Sequence, residues 1–167
     1  MGWSGILIDP VSKNIDLASK QRPRDRCQRA ICGSAGGECD FWEYSPSELS
    51  TTSPNRVQEL TNSGHTPIDR YSVQSITIKD LQISTTPKDP FVLSIDVEGA
   101  EFDVLNGNDW ESFLPAIVVL EQHSPPWLEN SPPGILLVSK GYELTDYVGL
   151  SSVYIHNQSP FRIQRDK

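Results

Sequence analysis

The chain has 167 residues, of which 37% are hydrophobic and 22% are charged, and this is enough for one globular domain with a core of its own. The composition gives no support for a collagen-like or repeat protein, and no apolar run approaches the roughly 18 residues that a membrane-spanning helix needs. The formal net charge of −8 argues against a protein that binds the phosphates of nucleic acids.

The cysteines are Cys27, Cys32 and Cys39. An odd number at these spacings fits neither a disulfide framework nor a zinc knuckle. We therefore expect reduced thiols in a cytoplasmic protein. Residues 1–9 lack the charged segment and the length of a signal peptide, and the sixth residue is Ile6, where N-myristoylation needs Ser or Thr.

The first half of the chain predicts short elements in this order: a strand over Gly5–Asp9, a helix from Pro10 to about Lys20, a strand from Cys27 to Cys32, a turn over Gly33–Gly37 and a β-favouring segment at Phe41–Tyr44. Residues 45–70 are rich in Ser, Thr, Pro and Asn with little periodicity, which predicts a long loop or lid. A strand within Ser72–Lys79 then leads into a short helix near Asp80.

The second half predicts a regular alternation of elements: a strand over Phe91–Val97, a helix over Ala100–Leu105, a strand over Ala116–Glu121, a helix from Pro132 to about Lys140 that stops at Gly141, and two closing strands over Tyr142–Val148 and Ser152–His156. The strongest strands are continuously apolar, as is typical of parallel strands covered on both faces. The sequence therefore predicts an α/β fold with a mostly parallel open sheet and helices on both faces.

Three apolar runs, ILID, LSID and VVLE, each stop at a carboxylate: Asp9, Asp96 and Glu121. In an open parallel sheet the carboxyl ends of the strands lie along one edge, and ligands bind there. We therefore expect these three acids to line a single cleft. The alternative for each acid is that it caps the following helix or faces water.

The stretch SIDVEGAE at Ser94–Glu101, followed by VLNG at Val104–Gly107, resembles the signature of the FkbM-type methyltransferases, which use S-adenosylmethionine. The opening segment from Gly2 to Pro10 is similar to the second strand of that family, and the resemblance extends over essentially the whole chain. It implies a Rossmann-like methyltransferase fold, as one domain over residues 1–167.

The resemblance also implies a cofactor site. Asp9 would accept hydrogen bonds from both ribose hydroxyls of S-adenosylmethionine, because a carboxylate has two acceptor oxygens. Cys32 and Gly33 would lie near the adenine, and Asp96 would lie beside the sulfonium methyl group. No metal ligand is implied.

Catalytic roles follow from the same resemblance. Methyl transfer to a hydroxyl requires a base that takes the proton of the acceptor, and Asp96, Glu98 and His123 are the candidates. We expect Gly99 to allow a tight turn and Glu101, inside the helix, to have a structural or solvated role. The implied acceptor is a small molecule with a hydroxyl group, such as a sugar or another natural product.

The sequence departs from the family in one respect. The first strand and the glycine-rich loop of the family fold do not precede Gly5–Asp9, and the glycines of Gly33–Gly37 follow a different strand. We therefore expect an N-terminally incomplete methyltransferase fold, a fragment with weak or no activity by itself. The oligomeric state is not predicted.

Two other functions fit the same residues. Acids at strand ends, including the Asp96-Val97-Glu98 pair, can hold Mg²⁺, as in a magnesium-dependent phosphoesterase that acts on a small phosphate ester. The other alternative is a degenerate domain without catalysis, which would expose an apolar gap in its sheet and associate with increasing concentration.

Overall fold

A computed structural model describes residues 2–122 and 131–162. The chain divides into two compact units, Met1–Thr77 and Ile78–Lys167, and the single domain expected over 1–167 stays a prediction. Among the described residues, no helix has the length and apolar character needed to cross a membrane. The three cysteines carry free thiols, and the cytoplasmic location inferred from them also stays a prediction.

The first unit contains two small sheets. Its elements are β1 (Ile6–Asp9), α1 (Ser12–Gln21), β2 (Arg26–Arg29), β3 (Ile31–Cys32), β4 (Gly37–Glu43), α2 (Pro54–Asn62) and β5 (Asp69–Ile76). β1 pairs with β2 in parallel, and β5 lies between β3, which is parallel to it, and β4, which is antiparallel. The strand predicted from Cys27 to Cys32 is therefore divided into two strands that belong to different sheets, on either side of the fully buried Ala30.

Residues 45–70 are not the continuous loop that their composition predicts. They contain a 3-10 turn at Ser47–Leu49 and the helix α2. Ser53 begins this helix, because its Oγ accepts a hydrogen bond from Arg56 N, and Pro54 follows at the first helical position. Of the residues of α2, Leu60 is the one that is buried. The helix has nine residues and two large apolar side chains, Val57 and Leu60, so its apolar face is too short to stand out from the polar sequence around it.

The second unit contains one four-stranded sheet. Its elements are β6 (Val92–Ile95), α3 (Glu101–Asn106), β7 (Ile117–Glu121), α4 (Pro132–Ser139), β8 (Tyr142–Val148) and β9 (Ser151–His156). The strand order is β6-β7-β9-β8. Buried side chains from the strands and from both helices form its core: Ile95, Val104, Leu105, Val118, Leu120, Leu137, Tyr142 and Tyr154.

The prediction of one mostly parallel sheet is wrong. Among the described residues the strands form three sheets, and three of the six strand pairs are antiparallel: β4–β5, β7–β9 and β8–β9. β8 and β9 are joined through Gly149 and Leu150, with Gly149 at φ +65°, and a connection of this length permits only an antiparallel pair. Apolar runs indicate that strands are buried but do not indicate their direction, so the overall α/β class holds while the sheet is mixed.

His156, the last residue of β9, is a buried histidine that should make stability depend on pH. It is 7% exposed, its Nδ1 accepts a hydrogen bond from Gln158 N at 3.1 Å, and its ring meets Tyr142 edge-on. Burial lowers the pKa of His156 below its ordinary value, and a smaller contribution from the Lys140 backbone raises it. The folded state favours the neutral ring. The contribution of His156 to the free energy of unfolding is therefore complete above about pH 6.5, the ordinary pKa of histidine, and is lost as the pH falls below that value.

We therefore expect a lower free energy of unfolding at pH 5.5 than at pH 7.5, measured by urea denaturation. The variant His156→Asn should flatten this dependence, whereas His65→Asn, at an exposed position, should leave it unchanged. Equal slopes in the wild type and His156→Asn would show that another group is responsible.

Candidate functional site

Three carboxylates meet at one edge of the second sheet. Asp96 follows β6, Glu98 lies two residues further on, and Glu121 is the last residue of β7. β6 and β7 are parallel neighbours, with Ile95 opposite Leu120, so their carboxyl ends lie side by side. One carboxylate oxygen from each acid lies within 4.8 Å of the other two. The edge predicted for Asp9, Asp96 and Glu121 is thus confirmed for Asp96 and Glu121, and the place of Asp9, which belongs to the first unit, stays a prediction.

The turn between β6 and α3 has an unusual backbone. Glu98 has φ +54° and Gly99 has φ +101°. The first value is uncommon for any residue with a side chain, and the second is accessible essentially to glycine alone. Glu101, which is 8% exposed, closes the turn, because its Oε1 accepts hydrogen bonds from Gly99 N at 3.0 Å and Val97 N at 3.4 Å. Of the two roles expected for Glu101, structural or solvated, the structure shows the structural one.

A set of polar contacts that the sequence did not predict holds the chain after Glu121. Gln122 N donates to Leu150 O, Gln122 Nε2 donates to Ser131 Oγ at 2.9 Å, and the Tyr147 hydroxyl donates to Gln122 O at 2.9 Å. Ser131 Oγ also accepts a bond from Gly134 N and begins α4. The signal for this start, a serine followed by two prolines, is visible in the sequence, but the contact with Gln122 is not.

The chemistry of the three acids follows from their charge and exposure. Asp96 and Glu98 are exposed and Glu121 is half-buried. Like charges this close repel one another, and water reduces the repulsion for the exposed pair. Carboxylates in this arrangement can orient a hydroxyl group, accept its proton, or bind a hard cation such as Mg²⁺ through oxygen.

Asp9 ends β1 in the first unit, as predicted, and its carboxylate holds the turn that leads into α1. Its Oδ1 accepts a hydrogen bond from Val11 N at 2.7 Å and its Oδ2 accepts one from Asn14 Nδ2 at 3.0 Å. The N-cap of α1 is Val11, two residues later, so Asp9 holds the turn before the helix and does not itself cap it. Each carboxylate oxygen still has a second lone pair, so a contact with a ribose remains compatible with these two hydrogen bonds.

The residue after Asp9 is held by side chains from β2 and β5. Pro10 O accepts a hydrogen bond from Arg29 Nε, and the Tyr71 hydroxyl lies 3.4 Å from the same oxygen. The Arg29 guanidinium also stacks over the Tyr71 ring. Burial, with a further contribution from Glu43, raises the pKa of Tyr71 to about 12, so this hydroxyl stays protonated near neutral pH.

Cys32 and Gly33 lie at the end of β3, and Gly33 N donates to Ile76 O. A Cβ added at Gly33 would lie 3.6 Å from Ser75 Oγ, an ordinary contact, so this position does not require glycine for space. Their predicted place near the adenine stays a prediction. His123, the third candidate base, lies outside the described residues.

Comparison with known proteins identifies the family. A family model described as the methyltransferase FkbM domain matches residues 1–148. No significant match was found among curated proteins or among solved structures. The matched range contains β1 through β8 and includes every predicted site residue. Because it covers most of the 167 residues, the chain belongs to the FkbM methyltransferase domain family.

Proposed function

We propose that this chain is an S-adenosylmethionine-dependent O-methyltransferase that acts on a hydroxyl group of a sugar or another small natural product. One observation carries the proposal: in a chain of a methyltransferase family, parallel strands bring Asp96, Glu98 and Glu121 together at one sheet edge. Ligands of open α/β sheets bind at such edges. In the second sheet β6, β7 and β8 run in one direction and β9, between β7 and β8, runs against them, which supports a Rossmann-like half of the fold.

S-adenosylmethionine, when bound, supplies an electrophilic methyl group on a sulfonium sulfur. Asp9 would hold its ribose hydroxyls, and Cys32 and Gly33 would lie near its adenine. Asp96 and Glu98 are exposed and can reach a small acceptor. Either carboxylate would align the acceptor hydroxyl and accept its proton while the new O–C bond forms and the C–S bond of the sulfonium breaks, which leaves S-adenosylhomocysteine.

The first test measures binding of S-adenosylhomocysteine at millimolar concentration by saturation-transfer NMR. We expect weak binding, because both oxygens of Asp9 already accept a hydrogen bond. Asp9→Asn should reduce the saturation of the ribose protons, and Asp16→Asn, an exposed acid on α1, should not. A parallel assay should detect transfer of a labelled methyl group to a panel of polyols. Wild-type protein that shows neither saturation nor labelled product would rule out the proposal.

A magnesium-dependent phosphoesterase is the second candidate, favoured by the close approach of the three carboxylate oxygens. It ranks second because clusters of exposed acids also occur without a cation. Thermal stabilisation by Mg²⁺, with hydrolysis of a small phosphate ester and no effect of S-adenosylhomocysteine, would favour this candidate over methyl transfer.

A further inference from the structure

We propose that Glu101 is the positioning residue that holds Asp96 and Glu98 at the edge of the sheet for the reaction. The inference rests on the proposed function, in which these two carboxylates contact the acceptor. Glu101 itself does not contact the acceptor, because it is buried and its side chain points back to the turn.

Burial distinguishes Glu101 from the other acids of this region. It is the first residue of α3 and is 8% exposed, whereas Asp103, in the same helical turn, is exposed. A buried carboxylate is costly unless it receives hydrogen bonds. The amides of Val97 and Gly99 supply them, so the turn and the buried acid stabilise each other.

The two amides flank Glu98 on either side. Glu98 has φ +54° and Gly99 has φ +101°, so the turn is held in a conformation that a residue with a side chain disfavours. The hydrogen bonds that Val97 N and Gly99 N donate to the Glu101 side-chain oxygen offset this cost. Without Glu101 we expect Glu98 to relax toward negative φ, which turns its side chain away.

Glu121 does not depend on this turn. It is the last residue of β7, and Gln122, directly after it, is held by Leu150, Ser131 and Tyr147. Loss of the Glu101 contacts should therefore move Asp96 and Glu98 while Glu121 stays in place, and the three oxygens would no longer converge.

Three substitutions of Glu101 test the length of its side chain and its charge separately. Glu101→Gln keeps an acceptor oxygen at the same reach and removes the charge. Glu101→Asp keeps the charge but is one methylene shorter. Glu101→Ala removes both, and Asp103→Ala is the matched control, because it removes an exposed acid from the same turn of α3. If Glu101→Ala does not fold, the Gln and Asp variants still give the comparison.

The first readout is amide hydrogen exchange at Val97 and Gly99, measured by NMR, which needs no cofactor. Amides that donate to a buried acceptor exchange slowly, and we expect both to be protected in the wild type, Glu101→Gln and Asp103→Ala. In Glu101→Asp and Glu101→Ala both should exchange at least tenfold faster, while Gln122 N, which donates to Leu150 O, stays protected. Unchanged exchange in Glu101→Ala, or a loss of protection in Glu101→Gln as large as in Glu101→Ala, would overturn the inference.

The second readout is methyl transfer. We expect kcat to fall at least tenfold in Glu101→Asp and Glu101→Ala, with KM within twofold of wild type and with rescue by Glu101→Gln. If the wild type transfers no methyl group while hydrogen exchange at Val97 and Gly99 changes as expected, the proposed function fails and the holding of the turn by Glu101 is retained. If methyl transfer is normal in every variant, Glu101 has no positioning role.

Discussion

Replacing Leu120 by alanine should lower the free energy of unfolding by about 2–5 kcal/mol, the largest loss of stability that we expect from a single substitution. Leu120 is completely buried. It lies in β7, one of the two inner strands of the second sheet, opposite Ile95 of β6 and Ser152 of β9. Neighbours on both sides leave the sheet little freedom to collapse into the space of the missing side chain, so most of the cavity should remain.

The measurement is equilibrium denaturation in urea, followed by circular dichroism. Leu150→Ala is the matched control, because Leu150 is 46% exposed and its truncation should cost less than about 1 kcal/mol. If Leu120→Ala lowers the free energy of unfolding no more than the control does, β7 is not central to the core.

Replacing Glu98 by glycine should stabilise the protein and remove its activity. A residue with a side chain pays about 1–2 kcal/mol for a left-handed backbone, and glycine returns up to about 1 kcal/mol of this through the greater freedom of the unfolded chain. A net gain of roughly 1 kcal/mol is therefore expected. Removing one of three close carboxylates should add to the gain, while loss of a candidate base should slow methyl transfer by about 100-fold or more.

Gln82→Gly provides the control for backbone strain. Gln82 has φ +52°, nearly the same as Glu98, but it lies at the end of the short helical turn Lys79–Leu81 and carries no charge. Urea denaturation should show a higher free energy of unfolding in both variants, with the larger increase in Glu98→Gly. The rate of single-turnover methyl transfer should fall in Glu98→Gly alone. A stability gain in Gln82→Gly together with a loss in Glu98→Gly would show that the Glu98 side chain contributes more to folding than its backbone costs.

The sequence predicted most of the strands because their signals are local. ILID, VLSI and IVVLE are apolar runs bounded by polar residues, and each is a strand in the structure: β1, β6 and β7. The shared edge of Asp96 and Glu121 followed from two of these runs being parallel neighbours. The helix α2 was missed because it buries little more than Leu60.

The features that the sequence did not predict depend on contacts between residues distant along the chain or on backbone dihedral angles. The antiparallel direction of β9 is set by the connection at Gly149 and by its pairing with β7, which no hydrophobic pattern encodes. The left-handed backbone of Glu98 has no signal beyond the neighbouring Gly99. The hydrogen bond between Gln122 and Ser131 joins residues nine positions apart, so neither one indicates it alone.

That hydrogen bond has a consequence for the junction between β7 and α4. Ser131 Oγ accepts hydrogen bonds from both Gln122 Nε2 and Gly134 N, so one hydroxyl serves the end of the strand and the first turn of the helix. Loss of this hydroxyl would therefore loosen both elements together and remove a support from the residue that follows Glu121.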